Sequence, residues 1–235
     1  MPSSGNAVSV KAASKTSSAA AAYQQSVFIN CPFDDQYKDL FDAAVFAVVD
    51  CGFTPRCALE VTNSGQIRID KIVDLIKACQ FGIHDISRTE LDAGSGLPRF
   101  NMPFEFGIFF GAQRFGSGAQ KKKNCLIFDR EKYRYQKFIS DISGQDISSH
   151  DGDHTILIAK IRDWLNSAGT SDPLPGGAAI AARYDLFRAD LSEICKRISL
   201  LPDKLTFRDL VYVIRAWLES EAASAGHGAA SRSRS

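Results

Sequence analysis

The sequence has little of what marks the familiar classes of site. Its six cysteines are scattered without CxxC spacing, and its four histidines form no metal-ligand pattern such as HExxH. It also lacks a phosphate-binding loop of the GxxxxGK[ST] type, a long hydrophobic run and a secretory leader pattern. We therefore expect no metal, no bound cofactor, reduced thiols, and a cytoplasmic protein that does not span a membrane.

The chain also has almost no excess of one charge sign over the other. The chain carries 28 Lys and Arg against 27 Asp and Glu, a net charge of +1, which gives no electrostatic footprint for direct nucleic-acid binding. The one tight basic run, Lys121, Lys122 and Lys123, is interpreted as a solvated turn before a strand. With 235 residues and 45% hydrophobic content, the chain suits one fair-sized globular domain plus an appendage.

What is present is an alternation of short apolar runs with amphipathic stretches. Strands are predicted at residues 27–29, 53–59, 81–85 and 124–128, and helices at 37–49, 67–79, from 101 onward and at 155–165. Pro55 places the second strand at a sheet edge. The alternation predicts an α/β fold, a flavodoxin-like parallel sheet with helices on both faces, in which ligands bind at the carboxyl ends of the strands.

Composition divides the chain into four parts. We predict a disordered leader over residues 1–24, the α/β domain over 25–170, a small C-terminal helical appendage over 178–222 and a disordered tail over 223–235. A linker rich in proline and glycine precedes the appendage.

One carboxylate, that of Glu105, stands in an otherwise almost wholly apolar stretch, RFNMPFEFGIFFGAQRF. Asn101 is predicted to cap a helix that has Pro103 in its first turn. Glu105 then lies in the first turn, where the helix dipole and unpaired amides favour the ionised carboxylate. We expect Glu105 to stabilise a cation rather than to donate a proton, although first-turn acids also occur simply as complements of the helix dipole.

Three polar loops, NCPFDD, DISR and RFNMPFE, are expected to converge near this glutamate at the carboxyl edge of the sheet. A phospho-acceptor module built on Asp34, Asp35 and Asp85 is disfavoured because the lysines precede their strand. Cleavage of an N-glycosidic bond requires fewer catalytic groups, since one carboxylate in a dry cleft can stabilise an oxocarbenium-like transition state.

Three segments carry a family resemblance: VFINCPFDDQY, FGIHDISR and NMPFEFGIFFGAQRFG. They resemble bacterial TIR-like (Toll/interleukin-1 receptor-like) proteins and nucleoside 2-deoxyribosyltransferases, and the resemblance covers residues 26–165. In both families the corresponding glutamate faces the ribose and carries catalysis, which the resemblance assigns to Glu105. Phe106 stands where these families usually have leucine.

The leaving group separates the two activities that the resemblance implies. Nicotinamide leaves NAD⁺ as a neutral molecule and needs no general acid, whereas a purine must be protonated, and Asp85 is the candidate donor. The transferase pattern also has an Asp shortly before the catalytic glutamate, where this chain has Arg99 and Asn101. We therefore expect an NAD⁺ hydrolase that releases nicotinamide and ADP-ribose or a cyclic variant, with a deoxyribosyltransferase or nucleotide N-glycosidase as the alternative.

Under this hypothesis NAD is a substrate rather than a cofactor, and arginines bind its pyrophosphate. The expected substrate-binding residues are Asn30, Pro32, Phe33, Arg56, Asp85, Arg88, Arg99 and Asn101. The resemblance further implies an anti-phage defence effector that acts as a homo-oligomer or with an activating partner protein. A non-catalytic TIR-like signalling or scaffold module stays open, because such domains often act through self-association.

Overall fold

The computed structural model describes residues 18–60, 64–91, 94, 96–168 and 173–232, with side chains up to residue 224. Its strands are β1 (Ser26–Asn30), β2 (Thr54–Arg56), β3 (Phe81–Asp85), β4 (Asn124–Asp129) and β5 (Ser148–Ser149). They form one parallel sheet in the order β2-β1-β3-β4-β5, which is the flavodoxin-like order. The predicted fold class is confirmed, and β2, which contains Pro55, lies at an edge as expected.

Helices cover both faces of this sheet. The described α-helices are α1 (residues 18–25), α2 (Lys38–Asp50), α3 (Arg68–Ala78), α4 (Asn101–Phe115), α5 (His154–Ser167), α6 (Gly177–Arg197) and α7 (Phe207–Arg232). Side chains alternate along β1, so Val27 and Ile29 join the core with α2 and α5, while Phe28 joins the core with α3 and α4. The sheet is therefore buried on both sides.

The C-terminal helices form a second helical layer outside α2 and α5 and are not a separate appendage. Phe46 of α2 contacts Tyr184 and Phe187 of α6, each with ring centroids 5.4 Å apart, and Trp217 of α7 at 6.0 Å. Residues 43–48 of α2 are apolar on all sides and fully packed, because the sheet covers one side of the helix and α6 and α7 cover the other. The predicted helical appendage shares one continuous core with the α/β domain.

Both predicted disordered segments extend too far. Residues 18–25 of the predicted leader form α1, while residues 1–17 lie outside the described part of the chain. At the other end, α7 continues to Arg232, well into the predicted tail. Both segments are rich in alanine, which has the highest helix propensity, so a composition that indicates disorder also permits a helix.

Lys123 is buried, which corrects the predicted solvated turn. Its ammonium group donates hydrogen bonds to the carbonyls of Ile76, at 2.5 Å, and Cys79, where α3 ends. Burial lowers the pKa of Lys123 to about 8. Lys123 therefore completes the C-terminal end of α3, as basic side chains commonly do, while Lys121 and Lys122 are exposed.

The six cysteines are all unpaired, and Cys125 alone is not fully buried. Burial raises the pKa of the Cys125 thiol to about 11, so this group stays protonated near neutral pH. None of the described helices is long and apolar enough to cross a membrane.

The close contact between β3 and α4 at Gly82 gives a first prediction. A Cβ at Gly82 would lie 2.6 Å from Nε2 of His84 and 2.8 Å from the ring of Phe109, so Gly82→Ala requires these side chains to shift. We expect the variant to lower the free energy of unfolding by about 2 kcal/mol, measured by urea denaturation. Gly107→Ala is the matched control, because a Cβ there meets open space on α4, and it should stabilise the protein by about 0.5 kcal/mol. Equal effects of the two substitutions would contradict the packing argument.

Candidate active site

The side chain of Asn30 joins β1, β3 and α4 at the carboxyl edge of the sheet. Its amide nitrogen donates to the carbonyl of Met102 in α4, at 2.9 Å, and to Nδ1 of His84 in β3, at 3.1 Å. In this fold the strand order reverses beside β1, and ligands bind outside the strand ends at such a point. Asn30 therefore fixes the start of α4 at the place where a ligand is expected.

The helix that carries Glu105 begins differently from the prediction. Phe100 is the N-cap and makes no side-chain capping bond, while Asn101 is the first helical residue. The predicted cap at Asn101 is therefore wrong, and Glu105 is the fifth helical residue, beyond the first turn. Because the helix dipole acts mainly within the first turn, it does little to favour the ionised form of this carboxyl group.

Burial controls the protonation of Glu105. The residue is 4% exposed, and its Oε2 atom has no hydrogen-bond partner among the residues that the structure describes. Burial raises the pKa of Glu105 to about 7, against the opposing effect of the Arg68 charge. The expectation that the surroundings favour the ionised carboxylate is contradicted, because burial favours the protonated form. A group with a pKa near neutrality is suited to accepting and to donating a proton.

Glu105 lines a cavity of about 220 Å³, which we call the glutamate cavity. Five of the predicted substrate-binding residues line it as well: Asn30, Pro32, Phe33, Arg99 and Asn101. The other lining residues, Cys31, Leu59, Arg68 and Met102, were not predicted. Arg68 is the first residue of α3, the helix after β2, and helices that follow strands begin at the carboxyl edge of a parallel sheet. That rule is the signal in the sequence that identifies Arg68.

Arg99 connects the glutamate cavity to a larger space of about 580 Å³, which we call the arginine groove. Arg88 and Arg130 also line this groove. Arg88 forms an ion pair with Asp34, and Arg130 lies 3.6 Å from the carboxylate of Glu90. The lining of the groove thus combines three guanidinium groups with three carboxylates, those of Asp34, Asp35 and Glu90. Guanidinium binds phosphate oxygens bidentately, so a phosphate in this groove would compete with these carboxylates for the arginines.

Asp85 does not line the glutamate cavity, although it was predicted to be a pocket residue and proton donor. It is buried, with its oxygens already engaged. The Tyr37 hydroxyl donates to Oδ2, Nε2 of His150 lies 3.0 Å from the same atom, and the Ser87 amide donates to Oδ1 at 2.8 Å. These contacts make Asp85 an anchor for the end of β3.

Arg56 also lies apart from the site. Its Nε atom donates to both carboxylate oxygens of Glu60, at 2.8 and 2.9 Å, and it lines neither the glutamate cavity nor the arginine groove. The predicted pyrophosphate contact by Arg56 is therefore not supported by the geometry. Glu60, four residues farther along the chain, already pairs with this guanidinium group.

Within the described residues, no group of three or more His, Cys, Asp or Glu side chains is arranged to hold a metal ion. Comparisons with family models, with curated proteins and with solved structures gave no match to this chain. The function must therefore be inferred from the chemistry of the site itself.

The buried carboxyl group predicts a pH-dependent effect of Glu105→Gln on stability. With a pKa of about 7 in the folded protein against 4.5 in the unfolded chain, Glu105 binds more protons when folded. Its favourable contribution is therefore fully present below pH 4.5 and is lost as the pH rises through about 7. We expect Glu105→Gln to be more stable than the wild type by about 3 kcal/mol at pH 8 and by about 1 kcal/mol at pH 5. Denaturation of both proteins at the two pH values measures this difference, and a gap that does not grow with pH would refute it.

Proposed function

We propose that this protein is an NAD⁺ hydrolase, an N-glycosidase that releases nicotinamide and ADP-ribose or a cyclic variant. The observation that carries the proposal is the buried carboxyl group of Glu105, which has an oxygen without a hydrogen-bond partner among the described residues and lines a cavity together with two arginines. An unpaired buried carboxyl group is costly to keep, which favours a role in function over one in folding.

In the proposed reaction the carboxyl group of Glu105 acts in two steps. The nicotinamide ring is cationic while bound, so its approach lowers the pKa of Glu105 and ionises it. The C1′–N bond then breaks, both electrons pass to the ring nitrogen, and the carboxylate stabilises the oxocarbenium-like ribose. Water attacks C1′ and gives its proton to Glu105, whose pKa of about 7 suits a general base. NAD⁺ and water thus yield nicotinamide, ADP-ribose and a proton.

The arginine groove supports a dinucleotide rather than a nucleoside as the substrate. Arg99 lines both the groove and the glutamate cavity, so a ligand with its ribose at Glu105 would meet Arg99 with its phosphates. Arg88 and Arg130 lie farther along the groove, where the rest of a dinucleotide would extend.

Deoxyribosyl transfer has less support. A departing purine requires an acid besides the nucleophile, and among the described residues Glu105 is the one carboxyl group that lines the glutamate cavity. Asp85, the candidate donor, is held by Tyr37 and His150 instead.

The resemblance of VFINCPFDDQY, FGIHDISR and NMPFEFGIFFGAQRFG to TIR-like proteins supports the same activity. We extend the proposal to a cytoplasmic anti-phage effector that is held inactive until it assembles as a homo-oligomer or meets an activating partner protein. An NADase must be restrained in this way because it depletes the cell's cofactor.

The proposal is tested by incubating concentrated protein with NAD⁺, and separately with deoxyadenosine plus a free base, and following release by chromatography. We expect nicotinamide release that Glu105→Gln reduces at least about 1000-fold, because the variant removes the stabilising charge. Glu193→Gln, on an exposed part of α6, makes the same chemical change away from the site and should retain full activity. Base exchange without nicotinamide release would replace the proposal with the transferase.

The arginine groove gives a separate prediction about substrate binding. Arg99→Ala should raise the KM for NAD⁺ about 10-fold and change kcat little, because it removes a phosphate contact made alike in the ground and transition states. Arg114→Ala, at the opposite end of α4 from Glu105, is the control and should leave KM unchanged. Steady-state kinetics distinguish the two, and an unchanged KM in Arg99→Ala would contradict the pyrophosphate assignment.

A further inference from the structure

A second cavity, of about 170 Å³, lies beside the glutamate cavity, and we call it the rear cavity. Pro32, Phe33 and Leu59 line both spaces. These three side chains therefore form the wall between the two cavities. The wall has open space on each of its sides, so its position is not fixed by close packing all round.

The far side of the rear cavity is built by the start of α7. Leu205, Thr206, Phe207 and Leu210 line it there. The helix start is itself well fixed, because the amide of Thr206 donates to the carboxylate of Asp209 at 3.0 Å and the amide of Asp209 donates to the Thr206 hydroxyl at 3.2 Å. This reciprocal capping sets the position of Phe207.

A chain of aromatic rings connects α7 to the wall. Phe33 packs edge-on against Phe41 with ring centroids 5.4 Å apart, and Phe41 packs against Phe207 at 6.2 Å. Phe41 and Phe207 are both buried in the core shared by α2 and the C-terminal layer. Contacts of this kind are directional, so the position of one ring restrains the next.

We propose that Phe207 is a positioning residue for the glutamate cavity: through Phe41 it holds Phe33 in the wall and so sets the size and dryness of the space around Glu105. A smaller side chain at position 207 enlarges the rear cavity and lets Phe33 withdraw into it. The glutamate cavity then widens and admits water. The position of the wall follows from geometry alone, whereas the effect of the wall on catalysis rests on the proposed function.

The test compares Phe207→Leu with the wild type by two independent measurements. NMR titration of the Glu105 carboxyl carbon should give a pKa below that of the wild type, because water returns solvation to the ionised form. The charged or titratable groups that line the glutamate cavity with Glu105, namely Cys31, Arg68 and Arg99, are unchanged in this variant. The KM for NAD⁺ should rise about 5-fold with a smaller change in kcat, because the wall contributes mainly to binding.

Phe187→Leu is the matched control. Phe187 and Phe207 are both buried, at 1% and 7% exposed, and both belong to the C-terminal layer, but Phe187 packs on Phe46 and Trp217 and lines neither cavity. It should lower Tm comparably while leaving the Glu105 titration and KM at wild-type values. If the two variants shift both readouts alike, or if Phe207→Leu changes only Tm, the inference is overturned.

If Phe207→Leu does not fold, Phe207→Met takes its place, since it keeps more of the side-chain volume. If the wild type releases no nicotinamide, the proposed function fails, and the NMR titration then supports or overturns the positioning role without reference to activity.

Discussion

The carboxyl group of Glu105 is kept away from water, and much of the surrounding structure serves to keep it there. A pKa moved from 4.5 to about 7 corresponds to a cost of about 3 kcal/mol for the ionised form. That cost persists only because α4 is held against the sheet. Asn30 links the first turn of the helix to β1 and β3, and the rings of Phe106 and Phe109 pack against the ring of His84, with centroids 5.3 and 4.8 Å away.

The C-terminal layer takes part in the same arrangement. Because α6 and α7 cover α2, the helix that follows the loop containing Pro32 and Phe33 is packed on both sides. That loop forms one wall of the glutamate cavity, so the C-terminal layer supports the site from behind. A single helical layer on this face of the sheet would leave residues 43–48 of α2 with an apolar face in water.

The parts of the site that could be predicted from the sequence are those set by chain connectivity. Asn30, Phe33, Arg99 and Asn101 lie at or next to the ends of elements with a clear apolar period, and the βα order places such residues at one edge of a parallel sheet. Arg68 obeys the same rule, because it is the first residue of the helix that follows β2.

The parts of the site that could not be predicted depend on which neighbouring group pairs with each side chain in the folded protein. Asp85 has the residue type and the sequence position expected of an acid in the pocket. Its carboxylate instead contacts Tyr37, at the start of α2, and His150, just after β5. Arg56 is similarly engaged by Glu60. Which pair forms depends on interatomic distances of a few ångströms, and no pattern in a single sequence specifies those distances.

The sequence by itself determined the parallel α/β sheet, the edge position of β2 and the placement of Glu105 on a helix at the carboxyl ends of the strands. These follow from hydrophobic periods and local backbone restrictions, which act over a few residues. Only the tertiary structure decided that the pKa of Glu105 is raised to about 7, that Lys123 is buried and that the start of α7 lines the rear cavity. Each of these depends on desolvation by residues distant in the chain, and desolvation is a property of the packed protein.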